Sequence, residues 1–219
     1  MDNRQKFSRM LVIGALACLA VGIAVTVFGS KPGDRTVRTG MDYYKNGNYA
    51  QAAERFEQAL TEKTNYSEPL LYMLLGNSYK MTGNYAASIE CQEKSLAAKK
   101  DYRGFINLGM TYRAAGDDAG AEHAYTDAIA FDPAQAEAYA SLGALYIARN
   151  DEAAALGALE EAVALDPSQN VPQANLALAR ALNGDFAGAE QALAKAESLE
   201  YEHAAEIRAR IDALKQEKP

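Results

Sequence analysis

The chain has 219 residues, of which 49% are hydrophobic and 23% charged, and this balance is typical of a folded protein. The formal net charge is -7, and the acidic excess lies entirely after Pro133: the chain up to that residue holds 15 basic and 15 acidic residues, and the rest holds 7 and 14. Because nucleic-acid binding relies on clustered Lys and Arg, this charge distribution argues against a nucleic-acid partner.

The first predicted element is an apolar helix at residues 10–29, after a short basic tail at residues 1–9. The segment carries no charge, and a helix of this length spans about 30 Å, the thickness of the hydrocarbon core of a bilayer. Basic residues flank it on both sides. The pattern predicts an uncleaved transmembrane anchor, with two alternatives: a cleaved signal peptide and a lipoprotein signal that ends at Cys18.

The orientation of this predicted anchor follows from its short N-terminal flank, which is typical of a cytoplasmic tail. We therefore expect a single-pass protein of the cell membrane, with its N-terminus in the cytoplasm and the rest of the chain outside it. Gly14, Cys18 and Gly22 are spaced four residues apart, and such a face of small residues could support a homodimer through the membrane helix.

The remainder of the chain repeats with a period of about 34 residues. A glycine or alanine opens each copy of the pattern, and Tyr, or Arg in the last copy, follows three residues later. The opening residues are Gly40, Gly76, Gly109, Gly143 and Ala177. Four residues beyond the Tyr or Arg comes a residue suited to a left-handed turn: Gly47, Gly83, Gly116, Asn150 or Gly184.

The second half of each copy has small and large residues at steps of four and then three, which places them on one helix face. The large members of this series are Phe56, Gln92, Tyr125, Leu159 and Leu193. Each copy is therefore predicted to form a helix, a turn and a second helix, here called helix A and helix B. We expect the opening glycine to let helix A approach the small residue of helix B closely.

These five copies resemble the tetratricopeptide repeat family, through their Gly-x-x-Tyr pattern on helix A and their small-to-large pattern on helix B. The resemblance implies an all-α fold, a right-handed α-solenoid of five hairpins at about 33–66, 69–100, 102–135, 136–169 and 170–201. The second copy departs most from the pattern, with Gln92 at a large apolar position. A final helix within 202–219 carries Ile207, Ile211 and Leu214 on one face and is predicted to cap the fifth hairpin.

In the resembled family, the A helices line a concave groove that binds peptides or helices. Transferred by register, the groove residues are Met41, Tyr44, Met73, Asn77, Lys80, Ile106, Met110, Arg113, Ile147 and Leu178, with small residues at Ala140, Ala144, Ala174 and Ala181. We call these the groove positions. The methionines offer an adaptable apolar floor, and Lys80 and Arg113 are predicted to hold a carboxylate.

The sequence contains no phosphate-binding Gly loop, no nucleophile motif and no metal-spaced cluster of His and Cys. His123 and His203 each stand alone on a predicted helix. We therefore expect no enzyme activity, no metal and no cofactor. The sequence favours a membrane-tethered protein interaction module that recruits or holds a partner, for example as an assembly factor for an envelope complex. The alternatives are a chaperone-like holder of unfolded or exported peptides and a regulatory subunit of a membrane enzyme or transport complex.

Overall fold

The computed structural model describes residues 30–217, so the transmembrane helix predicted at 10–29 lies outside the described residues. In the described part the chain folds into eleven α-helices with no strand, as the all-α prediction requires. Within residues 30–217 no helix combines the length and the apolar character needed to cross a membrane. The chain divides into two compact units at Lys99 and Lys100.

Unit 1 contains two hairpins in its described part, residues 30–99. Its helices are α1 (Pro32–Lys45), α2 (Tyr49–Thr61), α3 (Glu68–Met81) and α4 (Tyr85–Ala98). Helices α1 and α2 pack against each other, as do α3 and α4, and α2 packs against α3. The core is built from Val37, Ala52, Phe56, Ala59, Leu71 and Leu75, which are all buried.

Unit 2 contains three hairpins and a final helix. Its helices are α5 (Tyr102–Ala115), α6 (Asp118–Phe131), α7 (Ala136–Ala148), α8 (Glu152–Leu165), α9 (Asn170–Leu182), α10 (Phe186–Ser198) and α11 (Ala204–Glu217). Consecutive hairpins pack B helix against A helix, and α11 packs on both α9 and α10. Ile211 and Leu214 of α11 are buried there, so this helix covers the apolar face of the fifth hairpin.

The same pair of consecutive residues forms the turn between helices A and B in all five hairpins. The turn residue has a positive φ, between 57° and 84°, at the five positions that the sequence predicts. The next residue is always Asn or Asp, and its backbone N–H donates to the carbonyl of the Tyr or Arg five residues earlier. In four hairpins its side chain also accepts a hydrogen bond from the backbone N–H three residues later and so caps helix B. These caps are Asn84, Asp117, Asp151 and Asp185.

The opening glycines of the first, third and fourth hairpins face the large residue of helix B. The expected close approach to the small residue is found in the second hairpin, where Gly76 lies against Ser88 as well as Gln92. A Cβ placed on Gly40 would stand 3.0 Å from Cδ1 of Phe56, and one on Gly109 would stand 2.7 Å from Cδ1 of Tyr125. The Cε1 atoms of Phe56 and Tyr125 would stand closer still, at 2.7 and 2.5 Å, and real Cβ atoms essentially never approach another atom so closely. The ring of helix B therefore lies directly on the backbone of helix A, where only glycine leaves room for it.

Consecutive hairpins within each unit are tied by a side-chain bond at the Tyr or Arg position. Tyr79 of α3 donates to Glu57 of α2, and Tyr146 of α7 donates to Glu122 of α6 at 2.9 Å. In the fifth hairpin, Arg180 replaces the tyrosine and pairs with Glu160 of α8 at 3.5 Å. Arg180 therefore still links the fifth hairpin to the fourth, although it replaces the tyrosine that makes this link in other hairpins.

The second hairpin replaces apolar packing with a buried chain of hydrogen bonds. Ser88 donates to the carbonyl of Gly76 at 2.7 Å, and the amide of Gln92 donates to the hydroxyl of Ser88 at 3.1 Å. Ser95 donates to the carbonyl of Pro69 at 2.8 Å. Since these polar groups find partners inside the hairpin, their burial carries no large desolvation penalty.

Candidate peptide-binding groove

In unit 1, the groove positions are half-buried side chains on α1 and α3. Met41 and Tyr44 pack their inner surfaces against the core of the unit. The ring of Tyr44 meets that of Tyr49 edge to face, with the ring centroids 5.1 Å apart. Burial raises the pKa of Tyr44, and Tyr49 adds to the effect, so the phenol stays neutral at physiological pH. Met73 and Asn77 are half-buried on α3.

Lys80 occupies the last turn of α3 and is half-buried. Burial lowers the pKa of its ammonium group, because desolvation disfavours the charged form. Among the described residues, this ammonium group has neither an ion-pair partner nor a hydrogen-bond acceptor. A partly desolvated cation without a counter-ion gains from an anionic ligand, which agrees with the role predicted for Lys80.

In unit 2, the groove positions differ widely in exposure. Met110 is 49% exposed in the middle of α5, and Arg113, one turn later on that helix, is also exposed. Ile147 and Leu178 are half-buried and pack against the core of the unit. Ile106, in contrast, is only 4% exposed.

The small groove positions of unit 2 fall into two classes. Ala140 and Ala144 on α7 are half-buried, whereas Ala174 and Ala181 on α9 are fully buried. The accessible side chains at groove positions in this unit are therefore Met110, Arg113, Ala140, Ala144, Ile147 and Leu178. They form a mainly apolar set with one cation. Lys80 and Arg113 belong to different compact units, and the carboxylate site predicted for that pair stays a prediction.

Two polar residues near the groove positions of unit 2, Tyr125 and Ser141, were not predicted from the sequence as groove residues. Tyr125 of α6, one of the large residues of the helix B pattern, is fully buried. Its hydroxyl, however, has no hydrogen-bond partner within bonding distance and angle in the described structure. Burial raises the pKa of Tyr125, while Arg113 and Ser141 lie near enough to the hydroxyl to lower it in part. The repeat pattern accepts Tyr and Phe equally at this position, so it does not predict a hydroxyl there.

The described part of the chain contains no group of three or more His, Cys, Asp or Glu residues placed to bind a metal ion. His123 lies exposed on α6, beside Asp127 at 3.4 Å, and His203 lies exposed beside Glu206 at 3.1 Å. Cys91 is buried, and this burial raises the pKa of its thiol, with Glu90 adding to the effect. A raised thiol pKa leaves less of the nucleophilic thiolate at neutral pH.

A family model described as tetratricopeptide repeat matches residues 37–102 and 106–170, which is more than half of the chain. No curated protein matches the chain in sequence. The chain is similar in structure to the MamA protein from Desulfovibrio magneticus RS-1, with a TM-score of 0.68 and 19% identity; the match covers 78% of this chain and 97% of the other.

Two further solved structures share the fold. A tetratricopeptide repeat protein from Parabacteroides merdae matches with a TM-score of 0.74 and 16% identity, covering 84% of this chain and 73% of the other. The C-terminal part of a TPR repeat-containing protein from Cytophaga hutchinsonii matches with a TM-score of 0.69 and 21% identity, covering 82% and 71%. At these identities the likeness concerns the fold alone.

Proposed function

Because the chain belongs to the tetratricopeptide repeat family, whose helix hairpins bind protein partners, we propose that it is a membrane-tethered protein interaction module. It recruits or holds a partner protein through the groove positions on its A helices. The observation that carries this proposal is the exposure of Met110, 49% of whose surface is open to solvent one turn before the exposed side chain of Arg113. Of the five large apolar side chains that are at least 40% exposed in the described part of the chain, Met110 is the one in the middle of a helix and at a groove position.

The membrane tether rests on the apolar segment at residues 10–29. Helix α1 begins at Pro32, only three residues after that segment, so a partner bound by the first hairpin is held close to the membrane surface. We place the hairpins outside the cytoplasm, in keeping with the short N-terminal flank. A second copy of the chain is a further proposed partner, through the small residues Gly14, Cys18 and Gly22 of the tether.

The proposed module is not an enzyme, and its biological role is the assembly of an envelope complex. In support, its accessible groove side chains are mostly apolar, and the two cations among them, Lys80 and Arg113, suit recognition better than proton transfer. Neither a metal nor a cofactor is required for this role.

Affinity capture of the full-length chain from gently solubilised membranes tests the proposal. The variant Lys80→Glu/Arg113→Glu reverses two charges at groove positions. Its matched control, Lys195→Glu/Arg210→Glu, makes the same charge change at exposed positions on α10 and α11. We expect one or two partners in fixed proportion to the wild-type chain and to the control, and at least a tenfold loss in the groove variant.

Other outcomes would contradict the proposal in recognisable ways. Many partners in small amounts, together with protection of a model client from aggregation, would identify a peptide-holding chaperone. Loss of the partner when residues 10–29 are exchanged for an unrelated apolar helix would identify a subunit joined through the membrane. Equal capture by the groove variant and the control would show that Lys80 and Arg113 do not contribute to partner binding.

The orientation has its own test. Protease added to the outer face of sealed membrane vesicles or spheroplasts should digest the hairpins. If digestion needs access from the cytoplasmic face, the proposed orientation is wrong.

A further inference from the structure

One side of helix α1 carries four cations and one acid, and we call it the α1 basic face. These residues recur at steps of three and four, which places them on the same side of the helix. Its members, all exposed, are Lys31, Arg35, Arg38, Asp42 and Lys45. The opposite side of the helix carries Gly40, which lies on the ring of Phe56. The α1 basic face therefore points away from the core of the first hairpin.

The same side of the helix is buried in later hairpins. Asp42 stands two residues after the opening glycine, and its equivalents on α3, α7 and α9 are at most 1% exposed. These equivalents are Ser78, Leu145 and Ala179. Each of these three helices packs against the helix B of the hairpin before it. Helix α1 has no such neighbour among the described residues, and its basic face is open.

Solubility alone does not account for the sign of this charge. The open end of a repeat array needs a polar surface, and charges of either sign provide one. Helix α11 meets this need with paired charges, since Arg208 binds both Glu190 and Glu197. The cations of the α1 basic face form no ion pair within residues 30–217, and two of them only donate hydrogen bonds to uncharged oxygens. Their positive charge is therefore available to an anionic ligand.

The position of the α1 basic face in the chain indicates what that ligand is. Lys31 comes two residues after the apolar segment at 10–29, and α1 begins at the next residue. A membrane that holds this segment lies within a few residues of the helix. Because the four cations share one side of α1, all of them can reach a flat anionic surface when the helix lies along it.

Resting on the membrane tether proposed above, we propose that the α1 basic face binds anionic lipid headgroups, with the axis of α1 along the membrane surface. Headgroup phosphates accept hydrogen bonds from the guanidinium groups and attract the ammonium groups as point charges. The rest of the chain agrees with this contact. Residues 30–99 hold 9 basic and 8 acidic residues, whereas residues 100–217 hold 9 and 20. Unit 2 would therefore be repelled by an anionic surface that unit 1 can bind.

Acetylation of lysine side chains, followed by mass spectrometry, tests the contact on the full-length chain in lipid nanodiscs. One set of discs contains phosphatidylcholine alone, and the other also contains the anionic phosphatidylglycerol. Lys45 is the informative residue, because it lies about 21 Å along the helix from Lys31, about twice the Debye length at 0.1 M salt. Only a helix that lies on the surface brings Lys45 to the headgroups. The exposed Lys195 on α10 is the internal reference.

We expect the acetylation rate of Lys45, relative to that of Lys195, to be about fivefold lower in the anionic discs than in the neutral ones. The reason is that an ammonium group paired with a phosphate stays protonated and is shielded from the reagent. Salt at about 1 M should remove most of this difference, since the Debye length then falls to about 3 Å.

Charge variants at exposed positions identify the surface that makes the contact. Arg35→Gln/Arg38→Gln should abolish the difference between the two kinds of disc. Asp42→Asn removes the one exposed acid of α1 and should increase the difference. The matched control, Arg103→Gln/Arg210→Gln, removes two charges from exposed positions on α5 and α11 and should leave the difference intact. A difference that survives Arg35→Gln/Arg38→Gln would overturn the proposal.

The wild-type chain alone can also overturn the proposal. Equal acetylation of Lys45 in the two kinds of disc, or slower acetylation of Lys31 only, would mean that α1 does not lie on the headgroups. Equally slow acetylation of Lys45 in both would indicate that a protein covers it, such as the acidic unit 2 of a second copy, and would likewise contradict lipid binding.

The tether and the lipid contact fail in different ways. A chain that is not retained in neutral discs contradicts the tether. The lipid contact then stands if the chain binds anionic discs and loses this binding in Arg35→Gln/Arg38→Gln, and it is wrong if the chain binds neither. If Lys45 is unaffected by lipid charge but the affinity capture succeeds, the interaction module stands without this lipid contact.

Discussion

Glycine performs two separate tasks in these hairpins. At the turns it adopts a positive φ, and at the helix crossings it leaves room for a side chain of helix B. Gly157 on α8 does neither, because it is exposed and a Cβ at its position would meet no atom within 4 Å. Its neighbour in the same hairpin, Gly143 on α7, faces the buried Leu159.

We expect alanine substitutions at these two glycines to change the free energy of unfolding in opposite directions. Gly143→Ala would place a Cβ 2.8 Å from Cδ2 of Leu159, and we expect it to lower the free energy of unfolding by about 1–3 kcal/mol. Gly157→Ala should raise it by about 0.5–1 kcal/mol, because alanine restricts the unfolded chain and favours the helix. Urea unfolding of the two variants measures both effects, and a destabilising Gly157→Ala would contradict the explanation.

Asp34 joins the start of α1 to the loop after α2. Its buried carboxylate accepts hydrogen bonds from the backbone amides of Lys31 and Asn65, the hydroxyl of Thr64 and the side-chain amide of Asn65, at 2.7–2.9 Å. Burial on its own raises the pKa of Asp34, but these hydrogen bonds outweigh it and lower the pKa from its ordinary value of 3.8 to about 2.

The lowered pKa of Asp34 makes the stability of the first hairpin depend on pH. Because the folded form binds the proton less tightly than the unfolded form, the stabilisation is full above pH 3.8 and is lost as the pH falls toward 2. It amounts to roughly 2 kcal/mol. Asp34→Asn should remove this dependence from the exchange rates of amides in α1 and α2. Asp42→Asn, at an exposed site on the same helix, should retain it.

At the scale of the helix, the sequence predicts the turns between helices A and B, but not the residues that cap the start of helix B. The left-handed residue of each turn was identified correctly, because glycine and Asn150 stand out against a helical pattern. The Asn or Asp that follows was not recognised as the N-cap, although Asp117 and its equivalents recur in register. The tie between Arg180 and Glu160 could not be foreseen either, since it joins residues on different hairpins.

Helix α11 makes a local contribution to stability. Ile211 is fully buried against the fifth hairpin, whereas Ala205 on the same helix is exposed. We expect Ile211→Ala to cost about 2–4 kcal/mol and to speed hydrogen exchange in α9 and α10. Ala205→Ser should change exchange little. Unchanged exchange in α9 and α10 after Ile211→Ala would mean that α11 is not needed as a cap.

At the scale of the whole molecule, the sequence establishes the all-helical repeat fold and its five hairpins more fully than the binding surface. The register of the repeats follows from the sequence spacing between equivalent residues, and this spacing is clear because it recurs in five copies. Accessibility depends on side-chain packing: Ile106 and Met110 both occupy groove positions, yet only Met110 is exposed. The burial of the Tyr125 hydroxyl depends on how the neighbouring helices pack, and a repeat pattern does not contain that information.

The proposed function requires the A-helix surface of unit 2 to contact a partner protein. A photoreactive benzoyl-phenylalanine introduced at Met110 tests it directly in intact cells, with the same group at His123 as the control. Both side chains are exposed and belong to the same hairpin, one on α5 and the other on α6. We expect a crosslinked product of one defined size from Met110 and none from His123. Crosslinking from His123 alone, or equally from both positions, would contradict it.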